Sequence, residues 1–355
     1  MRWTEALREA GRDIASGAGR TATFAVLFLV LVGGVAVAAE LTTLQAIMAA
    51  RAYVESGSAT YVMKTQKRID GRSCDALESL PNVTAAGAIR EETELLVPST
   101  LPQTPIASFS ISPGFRDLLA ARGDATRAGV ALSEDVAGTL GADVGDDVAT
   151  AHGSTPVNSV FAYPDDGRDS VLAFSALAVI PLGEDPFDAC WATIWPHDES
   201  AVAALGRTVL PRAGSSADRP VLSQLNQAHG LEFTSPRAFG TDSATFLAVV
   251  AGAVLGAAHV FRRRLALASD RHIGVGRLPQ VISQTGQCVV WASIGAAGAL
   301  SAVLVSLPPQ DADRGPLLTA SVLILVGGAG SAVTVCAVTT CLIRESSLFR
   351  YFKNR

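Results

Sequence analysis

Four stretches of this 355-residue chain contain no aspartate, glutamate, lysine or arginine: residues 22–39, 244–261, 288–307 and 317–343. At ~1.5 Å per residue the shortest reaches about 27 Å, close to the hydrocarbon thickness of a bilayer, so water is excluded as their setting. They lack the inside/outside alternation of barrel strands and are read as four membrane-crossing helices, which satisfy their own backbone in lipid. A GxxxxGK[ST] loop is also missing: the Gly-rich runs at 17–20 and 327–331 lack the lysine that would reach a nucleotide's phosphates, which excludes ATP hydrolysis by that motif. The five histidines (His152, His197, His229, His259 and His272) form no HExxH and no close pair, against a metal site. No carboxylate or lysine lies inside a crossing, against a central path for ions or sugars. No catalytic residue, metal or cofactor is expected, and the chain is not read as an enzyme.

What is present is a spacing of one crossing followed, after a polar block, by three more. The expected organisation is a helix at 1–21, a first crossing at 22–39, a domain at 40–243, a second crossing at 244–261, a link at 262–287, a third crossing at 288–307, a loop at 308–316, a fourth crossing at 317–343 and a tail at 344–355. Arginines and lysines crowd three segments: Arg2, Arg8, Arg12 and Arg20; Arg262, Arg263, Arg264, Arg271 and Arg277; Arg344, Arg350, Lys353 and Arg355. The positive-inside rule places these in the cytoplasm, with both termini. The loop with Asp311, Asp313 and Arg314 then lies outside, with the large domain. Residues 41–243 carry 14 basic and 25 acidic side chains, a formal net of −11, which argues against nucleic acid as a partner.

A cleaved secretory signal is the alternative for the first crossing, with small residues at 36–39 before Glu40. Its apolar core is too long for that, and the segment before it mixes Glu5, Glu9 and Asp13 among its arginines. Trp3, Leu7, Ala10 and Ile14 fall on one helical face, which suggests an amphipathic helix along the inner membrane surface.

Cys288, Cys336 and Cys341 lie in crossings, where a small thiol packs well. Cys74 and Cys190 lie in the polar domain, where an oxidising compartment would permit a disulfide; the sequence leaves their pairing open. A Cys190 nucleophile with His197 as base is less plausible than a buried or bonded cysteine beside Trp191 and Trp195. His259 is a candidate polar contact near the inner face, the commoner alternative being a side chain that snorkels toward the interface, and His272 is either a partner contact or a solvated loop residue.

The domain reads as α+β. Strands are expected at 59–64, 83–90, 92–97, 106–111, 128–132, 147–151, 159–163, 171–180 and 189–194, with helices at 73–80, 113–121, 133–140, 200–206 and 219–229. The first crossing continues as a stalk helix towards Gly57, and a second stalk is expected after Pro236. In VALSEDVAGTLGADVGDDV at 130–148, Ser133 caps a two-turn helix, Glu134 and Asp135 sit in its first turn, and Gly141 and Gly145 suit left-handed turns. Gly252 with Gly256, and Gly327, Gly328, Gly330 and Ser331, give small faces for close helix packing, within or between chains.

The passage LSEDVAGTLGADVGD between two strands resembles a motif in the extracytoplasmic domain of MacB-type and FtsX-like permeases. The link RRRLALASDRHIGVGRLPQVISQTGQ at 262–287 is similar to the cytoplasmic link of the same family, with its arginine pair, short apolar helix, turn around Gly274 to Gly276 and basic Arg277. Members often carry an acidic residue soon after the arginine pair; Leu265 and Ala266 stand there in this chain, and Asp270 is the candidate replacement. The resemblance implies an ABC transporter permease of the four-helix, type VII, mechanotransmission class, in which two copies, identical or homologous, dock on cytoplasmic ATPase subunits that bind ATP and Mg. It implies that Arg262, Arg263, Arg264, Asp270, Arg271, His272, Gly274, Gly276 and Arg277 couple to that ATPase. The expected work is export or extraction of a peptide, lipid or hydrophobic toxic compound. The alternatives are a non-transporting FtsX-like regulator of an extracytoplasmic cell-wall hydrolase, with that protein as partner, and a membrane-anchored sensor without an ATPase.

Overall fold

The computed structural model describes residues 3–17, 19–124, 127–150, 153–183, 185–211, 219–230, 232–236, 239–307 and 314–344. His152, Asp311, Asp313, Arg2, Arg350, Lys353 and Arg355, and the side chains of Trp3, Glu5, Leu7 and Glu9, lie outside it. The chain divides into two units, residues 1–48 with 235–355, and residues 49–234.

Among the described residues four helices are long and apolar enough to cross a membrane: Thr21–Glu55, most of which belongs to the first unit, and Thr241–Arg262, Arg277–Ser306 and Arg314–Leu342 within it. One π turn, Leu29–Gly33, interrupts the first of them. Phe28, Val32, Ala36, Leu255, Trp291, Ala299 and Ile324 pack together between them. The opposite faces carry Phe246, Val254, Val326 and Val305, the last 86% exposed, apolar surface that suits hydrocarbon better than water. Two shorter helices complete the unit, Trp3–Ala15 and Arg264–His272.

The boundaries differ from the sequence reading where polar turns continue a helix. The third helix begins at Arg277 rather than at 288, because the segment from there carries no residue that stops a helix after Pro279 in its first turn. The second starts at Thr241, so the stalk expected after Pro236 is absent among the described residues. The first runs to Glu55, and the sheet-bearing unit comprises residues 49–234.

Among its described residues that second unit has ten strands: β1 (Thr60–Ile69), β2 (Val83–Glu91), β3 (Ala107–Ile111), β4 (Ala121–Gly123), β5 (Val130–Ser133), β6 (Asp147–Thr150), β7 (Gly153–Phe161), β8 (Ser175–Val179), β9 (Phe187–Ile194) and β10 (Val221–Gln224). Their order is β10-β1-β9-β2-β3-β8-β5-β7-β4, with β6 on the other half of β7. The pairs β3/β8 and β5/β7 are parallel and the rest antiparallel, so the sheet is mixed. Alternation along β9 sends Cys190, Ala192 and Ile194 to one face and Ala189 and Trp191 to the other. The first face is covered by the short helices Gly71–Asp75 and Glu199–Leu205; the second packs Val62, Phe109, Phe115 and Leu177.

Ser133 caps the helix Glu134–Leu140 through Val136 N–H at 3.4 Å, and Gly141 ends it at φ 63°. Val136 and Ala137 of that helix cover Leu132, Val148 and Val160. Several local expectations fail. Residues 219–229 form no helix; their first part is β10, an edge strand drawn to β1 by the pairs Tyr61↔Gln224 and Val62↔Ser223. Residues 92–97 contribute one bridge, Leu96↔Ile106, since Pro98 cannot extend a ladder. A 3-10 turn, Pro113–Leu118, replaces the helix at 113–121, and another, Ser170–Leu172, precedes β8.

Candidate functional site

The link between the second and third long helices is a helical hairpin stop followed by a start. Helix Arg264–His272 closes with Gly274 at φ 94°, where Gly274 N–H donates to Arg271 O at 3.0 Å and Val275 N–H to Asp270 O at 2.9 Å. This paired closure needs a left-handed residue, which glycine adopts without strain. Gly276, extended at φ −64° and ψ 161°, then turns the chain into the third helix.

Two arginines fasten this link to the bundle. Arg263 donates to Asp13 Oδ2 at 2.5 Å and to Gln287 Oε1 at 2.9 Å, and Gln287 Nε2 closes the triangle on Asp13 Oδ2 at 3.0 Å. The helix Trp3–Ala15, the end of the second long helix and the third are thereby tied at one point. Close approach is needed there: a Cβ on Gly19 would lie 2.8 Å from Gln287 Oε1. At the other end of the link helix Arg271 donates to Gln280 Oε1 at 2.8 Å, to Thr340 O at 2.8 Å and to Ile343 O. The last two are orphan carbonyls at the C-terminus of the fourth long helix, where a cation also meets the negative end of the helix dipole. Partial burial, with Arg277 nearby, lowers the Arg271 pKa; burial likewise raises that of Asp270, which Arg263 opposes and Asp13 reinforces. Leu267 and Ala268 seat the link helix on the core.

The sequence-selected link residues therefore divide. Arg263 and Arg271 are engaged within the chain, and Asp270 and Arg264 are half-buried. Arg262, His272, Gly274, Gly276 and Arg277 are exposed, together with two apolar side chains that sequence reasoning passed over, Ile273 at 77% and Leu278 at 70% exposure. Their signal was available: two large aliphatic residues flank a Gly-Val-Gly turn where polar residues would be usual.

Elsewhere, Gly252 and Gly256 bring the second long helix against Gly328 and Ala332 of the fourth, where any Cβ would strike backbone carbonyls. Ser331 Oγ donates to Val249 O at 2.8 Å across the same contact, and Gly327 faces Thr245 and Val249. Gly330 meets nothing within 4 Å and is not part of this packing. His259 is buried between Phe24 and Trp291, with ring centroids at 5.1 and 6.2 Å, rather than reaching toward an interface. Glu40 is buried too, accepting from Ser306 Oγ at 2.9 Å, so a carboxylate does lie along the first long helix just beyond its charge-free run. Cys74 and Cys190 form a buried disulfide with Cα atoms 5.8 Å apart. Cys190 thus offers no thiol to His197, whose Nδ1 lies 2.8 Å from Tyr61 Oη.

Among solved structures the chain is similar to the periplasmic region of MacB from Actinobacillus actinomycetemcomitans, with a TM-score of 0.32 and 13% identity, covering 41% of this chain and 79% of that one. A likeness that slight carries no argument. No family model and no curated protein matches the chain.

Proposed function

We propose that this chain is the permease subunit of an ABC system: a multi-pass membrane protein with cytoplasmic termini, an extracytoplasmic sheet domain, and a link that receives the stroke of a partner ATPase. The observation that carries this reading is the construction of the link. Arg263 and Arg271 fix its helix to the N-terminal helix and to the third and fourth long helices, while Ile273 and Leu278 stand exposed at its tip with Arg277. A docking force at that tip reaches most of the bundle through hydrogen-bonded contacts instead of being lost in a loose loop. Large exposed aliphatic side chains beside an exposed arginine also suit a partner groove with an acidic rim.

The first long helix continues through residue 55 into the sheet-bearing unit, which gives movement at the link a covalent, helical route to that domain. The cargo would be a peptide, a lipid or a hydrophobic compound. Copurification tests the assignment: an ATPase retained by the full chain, and lost on Ile273→Glu with the fold unchanged, is the expected result. A chain that retains no ATPase overturns it, and a bound cell-wall hydrolase with an ATPase but no transport in vesicles would convert the assignment to that of a regulator.

A further inference from the structure

The sheet domain carries a groove of about 920 Å³ that no feature of the link or bundle uses. It exists because β1 bulges. Between the pairs Lys64↔Ala189 and Ile69↔Phe187, β1 advances five residues while β9 advances two, so the strands part. Lys67 is left-handed there, at φ 52°, and its N–H donates to Asp188 Oδ1 at 3.0 Å in place of a ladder bond. The other oxygen, Asp188 Oδ2, accepts Glu91 N–H of β2 at 3.1 Å, so one carboxylate holds both neighbouring strands where the ladder opens.

The floor of the groove is apolar, with Ile89, Phe109, Ala189 and Trp191, and two exposed hydrophobic side chains, Val171 and Leu210, line it as well. Lys64, Lys67 and Arg68 add cations in a domain whose formal charge is strongly negative. Two hydrogen-bonding groups in the lining have no partner: the indole N–H of Trp191, a residue only 3% exposed, and the buried hydroxyl of Thr65. A buried donor left unsatisfied is costly, and an occupant that parts the side chains over these two atoms would offer both an acceptor oxygen.

We propose that this groove binds a single-chain anionic amphiphile, its chain along Phe109, Ile89 and Val171 and its carboxylate against Lys67, Thr65 and Trp191 Nε1. The volume lies in the range of small-molecule sites. Glu91 and Asp188 share the lining, which favours a monoanionic carboxylate over a dianionic phosphate. An extended peptide is disfavoured, because the open stretch of β1 is only four residues, 65–68, and one of its N–H groups is already taken by Asp188. The binding claim depends on the groove alone; its meaning as a cargo site rests on the permease reading.

The test uses the full chain in neutral phosphatidylcholine nanodiscs, photo-labelled with a diazirine-bearing fatty acid and mapped by peptide mass spectrometry. Label is expected on β2 and β9 peptides, competed by dodecanoate and not by dodecanol or acetate. Trp191→Phe, which keeps an aromatic ring without the indole N–H, and Lys67→Gly, which keeps the left-handed backbone, should each weaken competition by about tenfold, the worth of one charge-assisted or buried hydrogen bond. Retention of the Cys74–Cys190 disulfide in both variants reports that the domain has folded. Label confined to the long helices, equal competition by dodecanol, unchanged competition in both variants, or competition by an acidic peptide but not by dodecanoate overturns the proposal. Groove labelling without ATPase copurification would refute the permease reading alone, and the converse would refute the groove alone.

Discussion

Arg263 and Asp13 meet at 2.5 Å although 250 positions separate them in the chain. Both side chains are about a quarter exposed, so the pair is neither a solvated surface bridge nor fully desolvated. Asp13→Ala leaves a half-buried guanidinium with Gln287 as its remaining partner and should cost about 2 kcal/mol, the scale of removing one side of a charged hydrogen bond. The double variant Asp13→Ala/Arg263→Ala should recover part of that loss. Thermal denaturation in nanodiscs gives the cycle; a coupling below about 0.5 kcal/mol would show that the pair contributes nothing beyond its separate residues.

The engaged and exposed parts of the link should separate in experiment. Arg271→Ala strips two C-terminal carbonyls of the fourth long helix of their donor and should lower the melting temperature of the bundle. Ile273→Glu and Leu278→Glu touch only exposed side chains and should leave it within about 0.5 kcal/mol of wild type, while reducing ATPase copurification severalfold. Equal retention of the ATPase by all three variants would remove the link tip from the interface.

Gly252 and Gly330 make a matched pair for testing helix contact. A methyl group on Gly252 would collide with the Gly328 carbonyl, whereas one on Gly330 meets nothing. Gly252→Ala should therefore cost about 1–3 kcal/mol through forced separation of the helices, and Gly330→Ala should be near neutral. Comparable melting temperatures for the two variants would mean that the second and fourth helices do not approach at Gly252.

The parts of this fold that were legible in the sequence are those that local chemistry decides. A run of eighteen residues without charge needs no tertiary information, and Ser133 followed by Glu134 and Asp135 announces a helix start by itself. Residues 219–229 show the opposite case. Val221 to Gln224 become a strand because β1 offers an open edge, a partner about 160 residues earlier that no local window contains. Arg263 and Arg271 looked like partner contacts because an arginine in a short link reads the same whether solvated or engaged. Only Asp13, Gln280 and the end of the fourth helix, brought together by the fold, distinguish the two. The β1 bulge that opens the groove was hidden for the same reason: Lys67 is not a residue that advertises a left-handed turn.

The disulfide joins residues 116 positions apart, a helix at one end and the interior strand β9 at the other. Closing so long a loop restricts the unfolded chain, and Cys74→Ala/Cys190→Ala should destabilise the sheet domain by about 3–4 kcal/mol. Denaturing thiol counts should rise from three, for Cys288, Cys336 and Cys341, to five on reduction of the wild-type protein. Five reactive thiols before reduction would deny the bond.

Asp75 provides a pH signature within the same domain. Its carboxylate accepts Ser112 Oγ at 2.5 Å and Gly114 N–H at 3.0 Å, yet burial outweighs both, and with Asp117 near it the pKa is raised above the usual 3.8. A carboxyl whose folded-state pKa exceeds its unfolded value contributes its stability below about pH 3.8 and loses it as pH rises through the folded-state pKa. Asp75→Asn removes that titration. It also exchanges one acceptor for a donor at Ser112 or Gly114, a cost that does not vary with pH and so leaves the slope as the readout. Wild type should therefore lose stability relative to the variant as pH climbs from 4 upward, measured by hydrogen exchange of β2 and β9 amides in the full chain. A difference that stays flat, or that grows in favour of wild type with rising pH, would mean that the two hydrogen bonds prevail over burial and that Asp75 is held ionised instead.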